Sequence, residues 1–168
     1  YMGSFMPYKG VDTLVRMAAL LPEHELHLLS RMPTGEEARL RALAPDASIV
    51  VHDGVTDAEY ADVLRSATAL VHASRDEGFG IPLLEAMALG VPVVVSDIPI
   101  FREVAGDAGV YAPVDDAHGF ADAVRGLEGE WAARSAASRA QAATFSWDAS
   151  ADALHAALAA TVAARRQR

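Results

Sequence analysis

Residues 74–90, Ser-Arg-Asp-Glu-Gly-Phe-Gly-Ile-Pro-Leu-Leu-Glu-Ala-Met-Ala-Leu-Gly, constrain the fold of this chain more than any other stretch. They lie between two short apolar runs, 69–73 and 91–95, that read as buried parallel strands. A Gly-Phe-Gly loop therefore leaves one strand and opens directly into a helix over about 81–89. Gly78 and Gly80 tolerate backbone angles closed to other residues and carry no Cβ to hold a ligand away. Pro82 suits a first helical turn, where its missing N–H costs nothing. Such a helix begins with unpaired amides and a partial positive charge, which is a site for a phosphate. Glu77 before the loop and Glu85 one turn into the helix flank it. Carboxylates beside an anion site suit hydroxyl groups better than the phosphate itself, so the stretch points to a pocket for a sugar nucleotide.

The rest of the chain alternates strand and helix. Strands are expected at 1–3, 25–29, 48–51, 69–73, 91–95 and 109–112. Helices are expected at 11–20, 35–43, 57–66 with Asp57 as cap, 81–89, 98–105, 116–127, 130–141 and 147–165. This is the pattern of an α/β fold, a Rossmann-like three-layer α/β/α arrangement with a six-stranded parallel sheet and ligands at the carboxyl ends of the strands. At 168 residues the chain is read as one domain.

Composition removes several function classes. A net charge of −9 argues against nucleic acid, whose phosphates need a basic face. The basic end Arg165-Arg166-Gln167-Arg168 reads as a solvated helix terminus. With no cysteine, disulfides, thiolate catalysis and thiolate-bound zinc are excluded. No apolar run approaches the roughly 18 residues of a membrane span. The chain opens inside what reads as a strand, so it is expected to be a fragment with its upstream part missing. The lack of a signal sequence therefore says little about targeting. The six histidines show no metal-binding spacing, and neither His-Glu-x-x-His nor Gly-x-Ser-x-Gly occurs.

Residues 77–85 resemble the Glu-x7-Glu motif of retaining glycosyltransferases with the GT-B fold, in the group called family 4. Pro92-Val-Val-Val-Ser-Asp-Ile-Pro and Glu103-Val-Ala-Gly-Asp-Ala-Gly resemble the downstream signature of that family. Gly3-Ser-Phe-Met-Pro-Tyr-Lys-Gly-Val-Asp resembles its first phosphate-binding turn. The resemblance implies the carboxyl-terminal half of a GT-B enzyme, residues 1–168 being one donor-binding domain for a nucleotide sugar. It implies retention at the anomeric carbon, with no metal and no resident cofactor, and leans toward GDP-mannose over UDP-sugars. The acceptor would bind a missing N-terminal domain, and the enzyme would be cytoplasmic, peripheral to the inner membrane face only through that missing part. The isolated fragment would not turn over.

The resemblance also assigns roles. Lys9 would meet the donor diphosphate with the backbone amides of Phe79, Gly80 and Ile81, and with Leu84 in the first turn. Glu77 would contact hydroxyls of the transferred hexose, and Glu85 the ribose. Backbone at Val55 would contact the base, and Gly3 would let the chain pass near the phosphates. The family's arginine five residues before the lysine is Ser4 here, which leaves one hydroxyl donor in its place; Arg75 or Arg31 would then supply charge from another loop. Plain readings stand beside these: Lys9 as a surface lysine, Glu77 as a loop carboxylate on backbone amides, Glu85 as a favourable helix-start charge, Phe79 and Leu84 as packing, and Val55 as a turn residue. The stripe Ala151, Leu154, Leu158 and Val162 either packs on the domain or, as the resemblance implies, crosses to the other domain.

Five rivals are weaker or share the architecture. A dinucleotide oxidoreductase needs Gly-x-Gly-x-x-Gly after its first strand, where only Gly3 and Gly10 stand. A receiver domain needs an acidic pair where Ser4 and Phe5 stand. A glycosidase would use Glu77 and Glu85 as its carboxylate pair. A GT-B sugar-nucleotide epimerase, or a non-catalytic nucleotide-binding domain, is not separable by fold.

Overall fold

The computed structural model describes residues 1–166. Five short strands carry the apolar runs: β1 (Leu26–Leu28), β2 (Ile49–Val51), β3 (Leu70–His72), β4 (Val93–Ser96) and β5 (Val110–Ala112). β1 and β2 pair in parallel with Leu26 opposite Ile49, and β3, β4 and β5 form a parallel sheet in that order. Every residue of β4 is buried. Val94 joins one apolar cluster, while Val93 and Val95 join another. That alternation is what a central strand covered on both faces requires.

Among the described residues there are eight helices, α1 (Val11–Ala19), α2 (Glu36–Leu43), α3 (Asp57–Ser66), α4 (Ile81–Ala88), α5 (Pro99–Ala105), α6 (Ala117–Arg125), α7 (Trp131–Ala142) and α8 (Trp147–Arg166), and all but α8 flank the sheets. α1 packs against α2 and α6 over one face, and α4 against α5 and α7 over the other. The first layer buries Leu14, Val15, Leu40 and Phe120; the second buries Leu83, Met87, Phe101 and Val104. The three-layer α/β/α architecture expected from the alternating pattern is present. α3 is capped by Thr56, not Asp57: the Thr56 side chain accepts from the Glu59 amide while Glu59 reaches back to the Thr56 amide.

The expected six-stranded sheet is not formed. Residues 1–3 contribute a single backbone pair to β1: the Tyr1 nitrogen donates to His27 O at 2.8 Å, and Leu29 N donates to Tyr1 O at 2.8 Å. The Gly3 amide then turns to Ser30 Oγ at 3.0 Å. One pair is too short to make a ladder. β1–β2 and β3–β4–β5 therefore remain two small sheets, with Tyr1 and Met2 between them. Contact with β3 on that side runs through His72, whose Nε2 lies 3.2 Å from Met2 O and whose ring lies 5.1 Å from that of Tyr1.

α8 does not pack its stripe on the domain. Trp147 is 81% exposed, Leu154 62%, Leu158 58% and Val162 51%, so the plain reading of this stripe as core is corrected. Of the basic end, Arg165 is exposed, and Gln167 and Arg168 lie outside the described residues. Among the described residues no helix is long and apolar enough to cross a membrane.

Two close contacts fix the end of β3 toward which the motifs converge. Gly10 sits at φ 66°, ψ 25°, and a Cβ there would lie 2.1 Å from Ala73 O. Beneath it, His72 is 1% exposed. A carbonyl can only accept, so His72 Nε2 carries the proton toward Met2 O, and Nδ1 accepts from Ser74 Oγ at 3.0 Å. Burial first, and then the Lys9 charge, lower its pKa from 6.5 to about 4.

Gly10→Ala is expected to destabilise the fold by roughly 3 kcal/mol or more, because it combines backbone strain with a backbone clash. A urea-unfolding midpoint near that of the parent would contradict this packing. His72 makes stability depend on acid. Above pH 6.5 both folded and unfolded states keep it neutral. Between 6.5 and about 4 only the unfolded state takes up the proton, so up to about 3 kcal/mol is lost as pH falls through that window. Unfolding curves of His72→Gln, compared with the parent at pH 7 and 4.5, should show a smaller acid loss.

Candidate functional site

The residues singled out by their motifs gather at the carboxyl ends of the strands, where the order β2–β1 on one side turns to β3–β4–β5 on the other. In open α/β sheets this reversal leaves a crevice. Three segments stand at this end of the strands: the segment before α1, the loop from β2 into α3, and the loop from β3 into α4.

The first loop is tied to the third. Pro7–Lys9 form a 3-10 turn. The Arg75 amide donates to Tyr8 O at 2.8 Å, and Arg75 Nη1 donates to Pro7 O at 2.9 Å. With Gly10 seated on Ala73, these bonds bring Lys9 to Glu77, 68 residues away in sequence, and Lys9 Nζ donates to Glu77 Oε2. Both side chains are mostly buried, at 12% and 16% exposure. The Gly78 amide donates to Glu77 Oε1 at 3.1 Å. Burial raises the pKa of Glu77, but the Lys9 hydrogen bond and charge and the Gly78 amide outweigh it, leaving the carboxyl below its ordinary range. Glu77 is therefore ionised at neutral pH. Sequence alone assigned Lys9 and Glu77 to separate parts of a ligand; in the structure they form one ion pair.

α4 starts as its sequence requires. Gly80 adopts φ 92°, ψ 50°, no side chain caps the helix, and proline stands in its first turn. A Cβ on Gly80 would lie 3.1 Å from the Phe101 ring, so this glycine also serves close packing. Gly78 is exposed, and Ile81 and Phe79 are 48% and 39% exposed. The Phe79 ring meets Phe145 edge-on at 6.0 Å. Leu84 is half-buried against the second apolar cluster.

Glu85 projects from α4 into an exposed position and accepts a hydrogen bond from Tyr60 Oη of α3 at 2.8 Å. Sequence reading missed Tyr60, because which face of α3 meets α4 is a property of packing. On the loop before α3, Gly54 has φ 78° and Val55 is half-buried. Gly3 is half-buried, and Ser4 is exposed, its carbonyl accepting from Tyr1 Oη at 2.5 Å.

The arginines expected to replace the missing cation at Ser4 are otherwise engaged. Arg75 Nε donates to Asp115 Oδ2 at 2.8 Å while its Nη1 holds Pro7 O. Arg31 is 88% exposed and lies 4.0 Å from Asp53. Arg31 thus stands out in solvent, while Arg75 is bonded to the Pro7–Lys9 turn and paired with Asp115. His27 Nδ1 and His52 Nε2 face each other at 2.9 Å with rings stacked at 5.0 Å.

Known proteins agree with this architecture. The family model described as Glycosyl transferases group 1 matches residues 1–129. Over 130 residues the chain is 39% identical to a phosphatidyl-myo-inositol mannosyltransferase of Mycolicibacterium smegmatis, covering 72% of this chain and 33% of that protein. It is 33% identical over 159 residues to O-antigen chain mannosyltransferase B of Escherichia coli, covering 88% and 42%. A sucrose-phosphate synthase from Thermosynechococcus elongatus superposes with a TM-score of 0.83 at 27% identity, over 96% of this chain and 44% of that one. The chain thus spans less than half the length of these relatives. By motif, fold and match, it belongs to the group 1 glycosyl transferases of GT-B fold.

Proposed function

We propose that this chain is the donor-binding domain of a retaining hexosyltransferase that takes its sugar from a nucleotide diphosphate, with GDP-mannose as the favoured donor. The observation that carries the reading is the Lys9–Glu77 pair set beside the uncapped start of α4, where the sheet order reverses. A helix start without a side-chain cap offers oriented amides and about half a positive charge to an anion. Lys9 adds an ammonium within the same crevice. The diphosphate lies against the Phe79, Gly80 and Ile81 amides and the first turn at Leu84, with Gly3 and Ser4 bordering it from the other loop. Glu85 accepts from the ribose hydroxyls, Val55 meets the base, and Glu77 meets a hydroxyl of the hexose. The two mannosyltransferase relatives support mannose as that hexose.

In transfer, the bond from the anomeric carbon to the diphosphate oxygen breaks and a bond to the acceptor oxygen forms on the same face. The proton of the acceptor passes to the departing phosphate. The protein's task is to stabilise charge growing on that diphosphate, which fixed amides and Lys9 do without reorganising. A further domain of the same enzyme binds the acceptor, and the exposed stripe of α8 is the surface that meets it.

Calorimetric titration of the intact protein with GDP, UDP and GDP-mannose tests the reading. Lys9→Ala and Glu85→Ala are each expected to weaken donor binding by roughly ten- to a hundredfold, the range for a charged hydrogen-bonding partner. Undiminished affinity in both variants would remove the site, and tighter binding of UDP than GDP would remove the preferred base.

A further inference from the structure

Glu85 lies on the exposed side of α4, and an exposed glutamate samples several rotamers. A ribose diol needs two carboxylate oxygens held in one plane. In this structure the carboxylate has a fixed reference: Tyr60 Oη donates to Glu85 Oε2 at 2.8 Å. The Tyr60 ring is itself packed against the apolar cluster that contains Leu64, Leu83 and Met87. Only its hydroxyl reaches outward to α4. α3, which carries Tyr60, is fixed at its start by the Thr56–Glu59 capping box, and Val55 immediately precedes that cap. One helix thereby joins the loop expected at the base to the carboxylate expected at the ribose.

We propose that Tyr60 is a positioning residue, resting on the donor-site reading above, that orients Glu85 toward the ribose diol and so makes binding selective for ribonucleotides. A carboxylate has about four lone-pair directions. Tyr60 occupies one of them on Oε2, leaving Oε1 and the remaining direction of Oε2 for the two ribose hydroxyls. Burial first, and then the bond to Glu85, raise the pKa of the phenol above its ordinary value, so Tyr60 stays a donor across the working pH range. The contribution is orientation: a ribose hydroxyl meets a carboxylate already in place instead of one that must be ordered on binding.

The test is titration of the intact protein with GDP and with 2′-deoxy-GDP, the corresponding uridine pair run alongside, and inorganic pyrophosphate as the probe of the phosphate site alone. The parent is expected to prefer the ribonucleotide. Tyr60→Phe keeps the ring and its packing and removes only the hydroxyl. It should lower ribonucleotide affinity about fivefold, the effect of one ordinary hydrogen bond. It should leave the deoxynucleotide and pyrophosphate nearly unchanged, so the ribo-to-deoxy ratio shrinks. Glu85→Gln should abolish most of that ratio, and adding Tyr60→Phe to it should do little more, since the two act as one unit. A purely structural role for Tyr60 would weaken all three ligands together. Retention of the full ratio in Tyr60→Phe while Glu85→Gln loses it overturns the proposal and leaves the donor site standing. Failure of the parent to bind any nucleotide overturns both.

Discussion

The site depends on one close approach, the seating of Gly10 on the carbonyl of Ala73 at the end of β3. An added Cβ would come within 2.1 Å of that oxygen, so no other residue lets the turn settle there. Once seated, the turn is held from the far side by the backbone and guanidinium of Arg75. Each such hydrogen bond contributes only about 1 kcal/mol net, and they orient the turn without forcing it into place. The steric fit does the forcing. Lys9 follows Tyr8 and precedes Gly10, so its position beside Glu77 is a consequence of that packing.

Electrostatics at the site then differ from those on the rest of the surface. Arg39 with Asp12, Arg102 with Asp97 and Arg125 with Asp122 are largely exposed pairs, of a kind that contributes about 0–1 kcal/mol and is screened by salt. Among the described residues, Lys9–Glu77 is the ion pair in which both side chains are mostly buried. Removing one partner would leave a charge in a poorly solvated place, and that outcome is costly. The pair thus favours keeping Glu77 ionised and both residues in register. It also places a carboxylate and an ammonium within one hydrogen bond of each other, an arrangement that would suit the junction between a sugar and its diphosphate in the proposed donor site.

Much of this was legible in the sequence, for reasons that differ by residue. The 69–73 and 91–95 runs and the glycines between them could belong only to buried strands around a loop that opens into a helix, and β3, β4 and α4 stand there. Residues 1–3 read equally apolar, yet a strand is made by its neighbours, and only Tyr1 finds a ladder partner. The stripe of α8 was visible as a period, but a period does not name what covers it. Thr56-Asp57-Ala58-Glu59 carried the capping box in plain view, and its Thr-x-x-Glu spacing decides for Thr56 over Asp57. Arg75 was expected to face phosphate because nothing in sequence ties it to Asp115, 40 residues on; that pairing forms where Asp115 itself takes a positive φ of 62°.

The serine at position 4 gains meaning from these assignments. Arg75 is paired with Asp115 and Arg31 lies out in solvent, so in the proposed donor site Lys9 and the start of α4 would supply most of the positive charge. In the proposed donor site Lys9 would meet a diphosphate with its charge already matched by Glu77, in a chain of net charge −9. Long-range attraction for an anion is therefore weak, and screening at physiological salt, with a Debye length of about 8 Å, weakens it further. A donor site built this way, as proposed, would draw its selectivity from short-range directional contacts: the α4 amides at the phosphates and Glu85, held by Tyr60, at the sugar of the nucleoside. On that proposal, serine in place of the arginine would shift recognition from charge toward geometry, and a phenol on a neighbouring helix would have a carboxylate to orient.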